Sequence, residues 1–82
     1  NMLDLIIEQN PEEEFLKADG LDGAIIGYDD QTGRLIYSMA KIIEILVTED
    51  EMTEEDALEH YYYNIHGGYV GEKTPIWCFD YF

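Results

Sequence analysis

Two short apolar runs in the first half of the chain enclose a polar segment. Residues 24–28 and 34–38 have the character of strands, and residues 29–33, which read Asp-Asp-Gln-Thr-Gly, separate them. Aspartate begins turns by accepting hydrogen bonds from its own backbone, and glycine adopts the positive φ that such turns require. The pattern therefore predicts a β-hairpin with a loop of about five residues.

Two helices are predicted after the hairpin. Ser38 can cap the first, which should run to about Val47. Its apolar residues recur at helical spacing on one face, and they are Met39, Ile42, Ile43 and Leu46. Ile45 falls outside this face, where it can contact a second element or a second subunit.

The second helix is predicted to begin at Thr53 and to end near Ile65. Residues 53–56 follow the capping-box pattern, with Asp56 in place of the preferred Glu. It is expected to bury Ala57, Leu58, Tyr61, Tyr62 and Ile65. Because consecutive helical residues point in different directions, one or two of the tyrosines at positions 61–63 must leave the core face. Exposed tyrosines are good interface anchors, and they are equally ordinary at the edge of a small core.

The two ends of the chain carry weaker signals. Residues 3–8 are apolar but short, which is consistent with a strand or with a helical turn. Asn10 and Pro11, followed by glutamates, have the residue order of a helix start. They predict a short N-terminal helix that ends at Gly20. Residues 75–79 are expected to return to the sheet as a strand.

Together these elements predict an α+β fold in one small domain, residues 1–82. The expected sheet is antiparallel and consists of the hairpin and the C-terminal strand, and the two main helices and the short N-terminal helix cover it. The chain is 46% hydrophobic and 13% aromatic, which is enough apolar material for a core. Its length of 82 residues allows one domain at most.

The charge of the chain restricts the functions that can be expected of it. Nineteen acids stand against four bases, which gives a net charge of −15 at pH 7. Solubility of a small domain requires a magnitude of only about 2–8. A surface with this much negative charge repels nucleic acid and anionic membranes. Direct binding to either is therefore not expected. No apolar run is long enough to span a membrane. A secretion signal is not expected, because no basic region precedes an apolar stretch near the N-terminus. The single cysteine excludes an internal disulfide and is consistent with a cytoplasmic location.

Seven of the acids fall between positions 49 and 59. Acids four residues apart on a helix lie roughly 6 Å apart along its axis, close to the separation of neighbouring phosphates on a nucleic-acid strand. A row of them can imitate a phosphate backbone, although a solvated helix face is the alternative. The predicted partner-binding residues are Glu49, Asp50, Glu51, Glu54, Glu55, Asp56 and Glu59, with Tyr62 and Tyr63 as central anchors.

Catalytic, metal and cofactor sites are not predicted. Asp29 and Asp30 lack the spacing of a calcium loop and are expected to form the turn. His60 and His66 are six residues apart, whereas a helical zinc pair is four apart. Cys78 lies among apolar residues, which predicts a buried core cysteine and not a reactive thiol. The chain is therefore expected not to be an enzyme.

Four segments resemble a family of short proteins encoded by bacteriophages. They read GAIIGY at 23–28, GRLIYS at 33–38, DALEHY at 56–61 and NIHGGYVGEKTPI at 64–76. The resemblance implies a small protein that acts in the cytoplasm of an infected bacterium, and it implies no particular chemistry. In size and charge alone, the chain is also similar to phage anti-restriction, anti-CRISPR and uracil-DNA glycosylase inhibitor proteins.

Two hypotheses of function follow. In the first, the protein inhibits a basic nucleic-acid-binding protein of the host, such as a CRISPR effector, a restriction enzyme or a repair enzyme, by mimicry of phosphates. In the second, it is a phage structural or assembly protein that associates with itself. A homodimer is compatible with both hypotheses.

Overall fold

The structure is a computed structural model that describes residues 1–82. Its helices and strands are α1 (Met2–Gln9), β1 (Ile25–Asp29), β2 (Arg34–Ser38), α2 (Met39–Thr48), α3 (Glu54–His60) and β3 (Ile76–Cys78). A 3₁₀ turn, Asp22–Ala24, precedes β1, and a π-helical turn, Tyr61–Ile65, continues α3. The predicted α+β fold class is confirmed.

The sheet is mixed, with the strand order β1-β2-β3. β1 and β2 form the predicted antiparallel hairpin. β3 pairs in parallel with β2, and Ile36 lies opposite Ile76, so the prediction of a wholly antiparallel sheet is wrong for this strand. The reason is the connection: α2 and α3 lie between β2 and β3, and a helical crossover of this kind brings the chain back to the end at which the previous strand began.

The N-terminal helix lies earlier in the chain than predicted. Asn1 caps α1 through a capping box, whereas residues 10–21 contain no regular helix, so the prediction of a helix starting at Pro11 is wrong. The side-chain amide of Asn10 donates to the carbonyl oxygen of Ile6 at 2.9 Å. Asn10 therefore completes the end of α1 and does not begin another helix, because asparagine can satisfy backbone groups at either end.

The core lies between α2 and the sheet, with α1 packed on β1 and α3 packed on α2. The predicted face of α2 is buried. Ile45 is half-buried and packs over Gly23, where a Cβ atom would lie 3.7 Å from the Ile45 Cδ1 atom. Ile45 therefore contacts a second element of the same chain.

Asp80 fastens the C-terminal segment to the start of α2. Its carboxylate accepts hydrogen bonds from the Ala40 amide at 2.9 Å and from the Ser38 hydroxyl at 2.6 Å. These two hydrogen bonds hold the pKa of Asp80 below its ordinary value. The carboxylate thus acts as a second cap for a helix that Ser38 already caps, across 40 positions of sequence.

Replacing Asp80 by Asn should lower the free energy of unfolding at neutral pH by about 1 kcal/mol, which is typical of a lost cap. The pKa of Asp80 is lower in the folded protein than in the unfolded chain, whose value is near 3.8. Its charge therefore stabilises the fold above pH 3.8, and this stabilisation is lost as the pH falls through the lower folded-state pKa.

Urea titrations at neutral pH and below pH 3.8 would measure this effect. The difference between wild type and Asp80→Asn should shrink at the acidic end. Asp30→Asn provides the matched control, because Asp30 is exposed and its substitution should change little at either pH. An Asp80→Asn difference that stays constant across the titration would contradict the assigned role of the charge.

Candidate acidic interface

The seven predicted acids form one segment of surface, which we call the acidic face. It runs from the end of α2 through the connection to α3, and it consists of Glu49, Asp50, Glu51, Glu54, Glu55, Asp56 and Glu59. All seven are exposed, and none forms an ion pair. The ion pairs between side chains lie elsewhere, and they are Lys17–Asp22 and Lys73–Glu13. The charge of the acidic face is therefore not neutralised within the molecule.

Three of these acids are explained by the physics of a helix start. The Thr53 hydroxyl accepts a hydrogen bond from the Asp56 amide at 3.1 Å, which begins α3. Glu54, Glu55 and Asp56 occupy the first turn. Carboxylates there are favoured by the positive end of the helix dipole. These three carboxylates therefore need no binding partner to explain their positions.

The acids that follow α2 have no such explanation. Glu49 is the C-terminal capping residue of α2, and Asp50 and Glu51 come directly after it. Negative charge at this end of a helix opposes the dipole and typically costs about 0.3–1 kcal/mol. The last turn of α2 contains no basic residue that could compensate. Neither helix stability nor ion pairing therefore accounts for these three carboxylates.

The backbone of Glu51 adds a further cost at the same place. Glu51 has φ 56°, and it is the only non-glycine residue of the chain with positive φ. A side chain in this left-handed conformation costs roughly 1–2 kcal/mol. The Met52 amide then donates to the Leu46 carbonyl oxygen at 3.1 Å, which turns the chain away from α2. Glycine would adopt this turn without strain, yet a carboxylate occupies the position.

The three consecutive tyrosines differ in exposure. Tyr61 is buried, and burial raises its pKa to about 12. Tyr62 is 50% exposed, and its ring contacts the rings of Tyr61 and His66 edge-on. Tyr63 is 83% exposed. Tyr62 and Tyr63 thus both leave the core face, and the prediction that Tyr62 is buried is wrong, although its ring is partly held by its aromatic neighbours.

Among the three consecutive tyrosines, Tyr63 is the one that lines a groove with predicted acids. It lines a shallow groove of about 470 Å³, together with Met52, Asp56, Glu59, His60 and Asn64. Tyr62 does not line this groove. The structure therefore brings Tyr63 together with two acids of the acidic face and leaves Tyr62 outside that group.

His60 and Asn64 connect the groove to a larger cleft. The cleft has a volume of about 530 Å³, and its lining includes Leu16, Asp19, Asp50, Ile65 and Trp77 in addition to His60 and Asn64. The Asn64 side-chain nitrogen lies 3.3 Å from His60 Nδ1, which links the two residues across one helical turn. Because Asp50 belongs to the acidic face, the acidic face, the groove and the cleft form one continuous surface.

The cleft was not predicted from the sequence. Its walls come from the irregular segment before the 3₁₀ turn, from the ends of α2 and α3, and from β3. The π-helical turn, closed by the hydrogen bond from the His66 amide to the Tyr61 carbonyl oxygen at 2.7 Å, carries Asn64 and Ile65 into it. Such turns occur frequently at functional sites. The only local signal is the spacing of His60 and Asn64, four residues apart on a helix.

Of the residues considered for catalysis or metal binding, Asp29, Asp30 and Cys78 do not line this surface, whereas His60 lines both the groove and the cleft. The Asp29 carboxylate accepts hydrogen bonds from the Thr32 hydroxyl and the Gln31 amide, which lower its pKa and confirm its role in the turn. Cys78 is half-buried, so the prediction of a buried core cysteine is wrong. Its strand is short and lies at the edge of the sheet. Nowhere do three or more potential metal ligands cluster.

The chain has no helix with the length and apolar character needed to cross a bilayer. Comparison with other proteins was negative throughout: no family profile, curated protein or solved structure matches the chain.

Proposed function

We propose that this protein is a non-enzymatic inhibitor from a bacteriophage that binds a basic nucleic-acid-handling protein in the bacterial cytoplasm. In this proposal, the carboxylates of the acidic face occupy sites that normally hold phosphates of DNA or RNA. Tyr63, and at its margin Tyr62, supply aromatic contact area. The targets considered are a CRISPR effector, a restriction enzyme and a repair enzyme, and the protein itself binds no nucleic acid.

The observation that carries the proposal is the placement of Glu49, Asp50 and Glu51. They follow the C-terminal end of α2, and no ion pair neutralises them. One of them also holds a strained backbone conformation. Residues that cost folding free energy at one place are typical of functional sites. A partner with a positive surface would attract these carboxylates, so the charges that destabilise the fold would contribute to binding.

Added salt should change the affinity for the partner and the stability of the fold in opposite directions. At about 0.1 M ionic strength the Debye length is about 10 Å, and at 1 M it is about 3 Å. Attraction between the acidic face and a basic partner should therefore weaken steeply as salt is added. The same salt screens the repulsion within the folded chain, so its melting temperature should rise. Opposite responses of binding and stability to one variable are expected from this proposal.

The test is capture of a partner by the immobilised protein from a nuclease-treated bacterial lysate. Elution with stepped salt and mass spectrometry identifies what is bound. We expect a basic nucleic-acid-binding protein that elutes at moderate salt and that an oligonucleotide displaces. A captured protein that an oligonucleotide fails to displace would contradict phosphate mimicry.

A second candidate function is self-association in phage assembly, and a specific observation favours it. α1 exposes Met2, Leu5 and Ile7, and the rings of Phe79 and Phe82 stack in the open at 5.8 Å. Apolar contacts of this kind strengthen when a kosmotropic salt such as sulfate is added. Light scattering over a salt series would show an oligomer that persists at high salt, whereas the inhibitor requires no such oligomer.

A further inference from the structure

The cleft beside the acidic face combines apolar walls with an acidic rim. Leu16, Ile65 and Trp77 contribute apolar surface, and two exposed acids, Asp19 and Asp50, also line the cleft and are called its rim. Its volume of about 530 Å³ lies within the usual range of ligand sites. A ligand that suits it needs an apolar body and a positive group.

The cleft is lined by one lysine, Lys17, in addition to His60, and the charge of Lys17 is already paired. Lys17 Nζ lies 3.4 Å from the Asp22 carboxylate. The acids Asp19 and Asp50 form no ion pair. An anionic ligand, such as a nucleotide or a phosphate, would therefore meet net negative charge, and a cation would be attracted.

We propose that the cleft receives an arginine side chain from the partner protein. This inference rests on the proposed function, because it assigns one contact of the partner to one site of the inhibitor. The aliphatic stem of the arginine would lie on Leu16 and Ile65, and its guanidinium group would reach the carboxylates of the rim. The partner is thereby characterised as one that presents an exposed arginine at the edge of its phosphate-binding surface.

Two features favour arginine over lysine. Trp77 lies in the cleft, and a guanidinium group stacks on an indole ring better than an ammonium group does. In addition, the amide nitrogen of Asn64 is directed to His60, which leaves the Asn64 oxygen to accept a hydrogen bond. A planar group with five donors can use that oxygen and a carboxylate at the same time.

The single tryptophan of the chain provides a direct test, because it lines the proposed site. Trp77 fluorescence is recorded during titration with the peptide acetyl-Gly-Arg-Gly-amide and with its citrulline counterpart, which has the same shape and no charge. We expect saturable binding of the arginine peptide and about tenfold weaker binding of the citrulline peptide, because charge-assisted contacts are lost. The lysine peptide should fall between them. Equal responses to arginine and citrulline would overturn the inference.

A pair of double variants separates the site from the overall charge. Asp19→Asn with Asp50→Asn removes the rim of the cleft, and Asp30→Asn with Glu72→Gln removes the same charge from exposed positions outside it. The first variant should weaken binding of the arginine peptide several-fold, and the second should not. If both variants weaken it equally, the peptide responds to net charge alone and the inference is wrong.

The same reagents distinguish failure of this inference from failure of the proposed function. If the peptide does not bind at the cleft while a basic partner is still captured and displaced by oligonucleotide, only the arginine site is wrong. If the peptide binds as expected but no nucleic-acid-handling protein is captured, the proposed function is wrong and the cleft remains a site for a guanidinium group.

Discussion

A variant with Glu49→Gln, Asp50→Asn, Glu51→Gln and Glu59→Gln should capture its basic partner about a hundredfold more weakly than the wild type and should remain folded. Fields from clustered charges typically change association rates by about 10–10³-fold. The variant keeps the three acids at the start of α3, whose charges stabilise that helix. It also removes repulsion, so its melting temperature should rise at low salt.

A control variant of equal charge shows whether the position of the acids matters. Glu8→Gln, Glu12→Gln, Asp30→Asn and Glu72→Gln remove four charges from exposed residues that form no ion pair. Association rates measured by surface plasmon resonance should be close to those of the wild type. If the control variant loses as much binding as the acidic-face variant, the partner responds to net charge and the acidic face is not the interface.

Tyr37→Ala should remove a large part of the stability of the protein. Tyr37 is fully buried, and its ring packs on Trp77 with 5.2 Å between centroids. Truncation of a buried aromatic residue costs about 3–5 kcal/mol. A domain of 82 residues has a total stability of roughly 4–12 kcal/mol. We therefore expect the variant to unfold at a much lower urea concentration than the wild type, as circular dichroism during a urea titration would show.

Tyr37→Phe isolates the contribution of the hydroxyl group. The Tyr37 oxygen accepts a hydrogen bond from the Ala18 amide at 2.8 Å, which holds the wall of the cleft against the sheet. Its loss leaves that amide without a partner and should cost about 1–2 kcal/mol. The variant should stay folded, and the Trp77 fluorescence response to the arginine peptide should weaken. If Tyr37→Ala were no less stable than Tyr37→Phe, the assigned packing of the ring would be wrong.

Local patterns were enough to predict the hairpin, α2 and the start of α3. Each is specified by residues close in sequence: the Asp29 turn, the Ser38 cap and the Thr53 cap. The direction of β3 could not be predicted in this way. It depends on the end of the sheet to which the helical crossover returns the chain, and a strand of only three residues carries little local preference for either direction.

The wrong prediction of a helix that begins at Pro11 has a similar physical origin. Asn10 followed by Pro11 is a valid helix start when only neighbours in sequence are considered. The structure uses the Asn10 side chain on the carbonyl oxygen of Ile6 instead. The choice between the two depends on whether α1 can pack on β1, and that contact joins segments distant in the chain.

The candidate site likewise has one part that local sequence predicts and another part that depends on the tertiary fold. The seven acids could be identified from the sequence, because the number and spacing of charged residues do not depend on the fold. The strain at Glu51 was not visible, because a glutamate gives no sign of positive φ. The cleft was hidden for a different reason: its lining runs from Leu16 to Trp77, and only the tertiary fold brings those residues together.

The parallel pairing of β2 with β3 also sets an order of events during folding. The hairpin can close early because its partners are near neighbours, whereas Arg34 reaches the Thr74 carbonyl oxygen only across 40 positions. Until β3 docks, one edge of β2 is unpaired, and such edges invite aggregation between unfinished chains. The high negative charge keeps those chains apart during this interval. A charge that destabilises the finished fold therefore protects its formation.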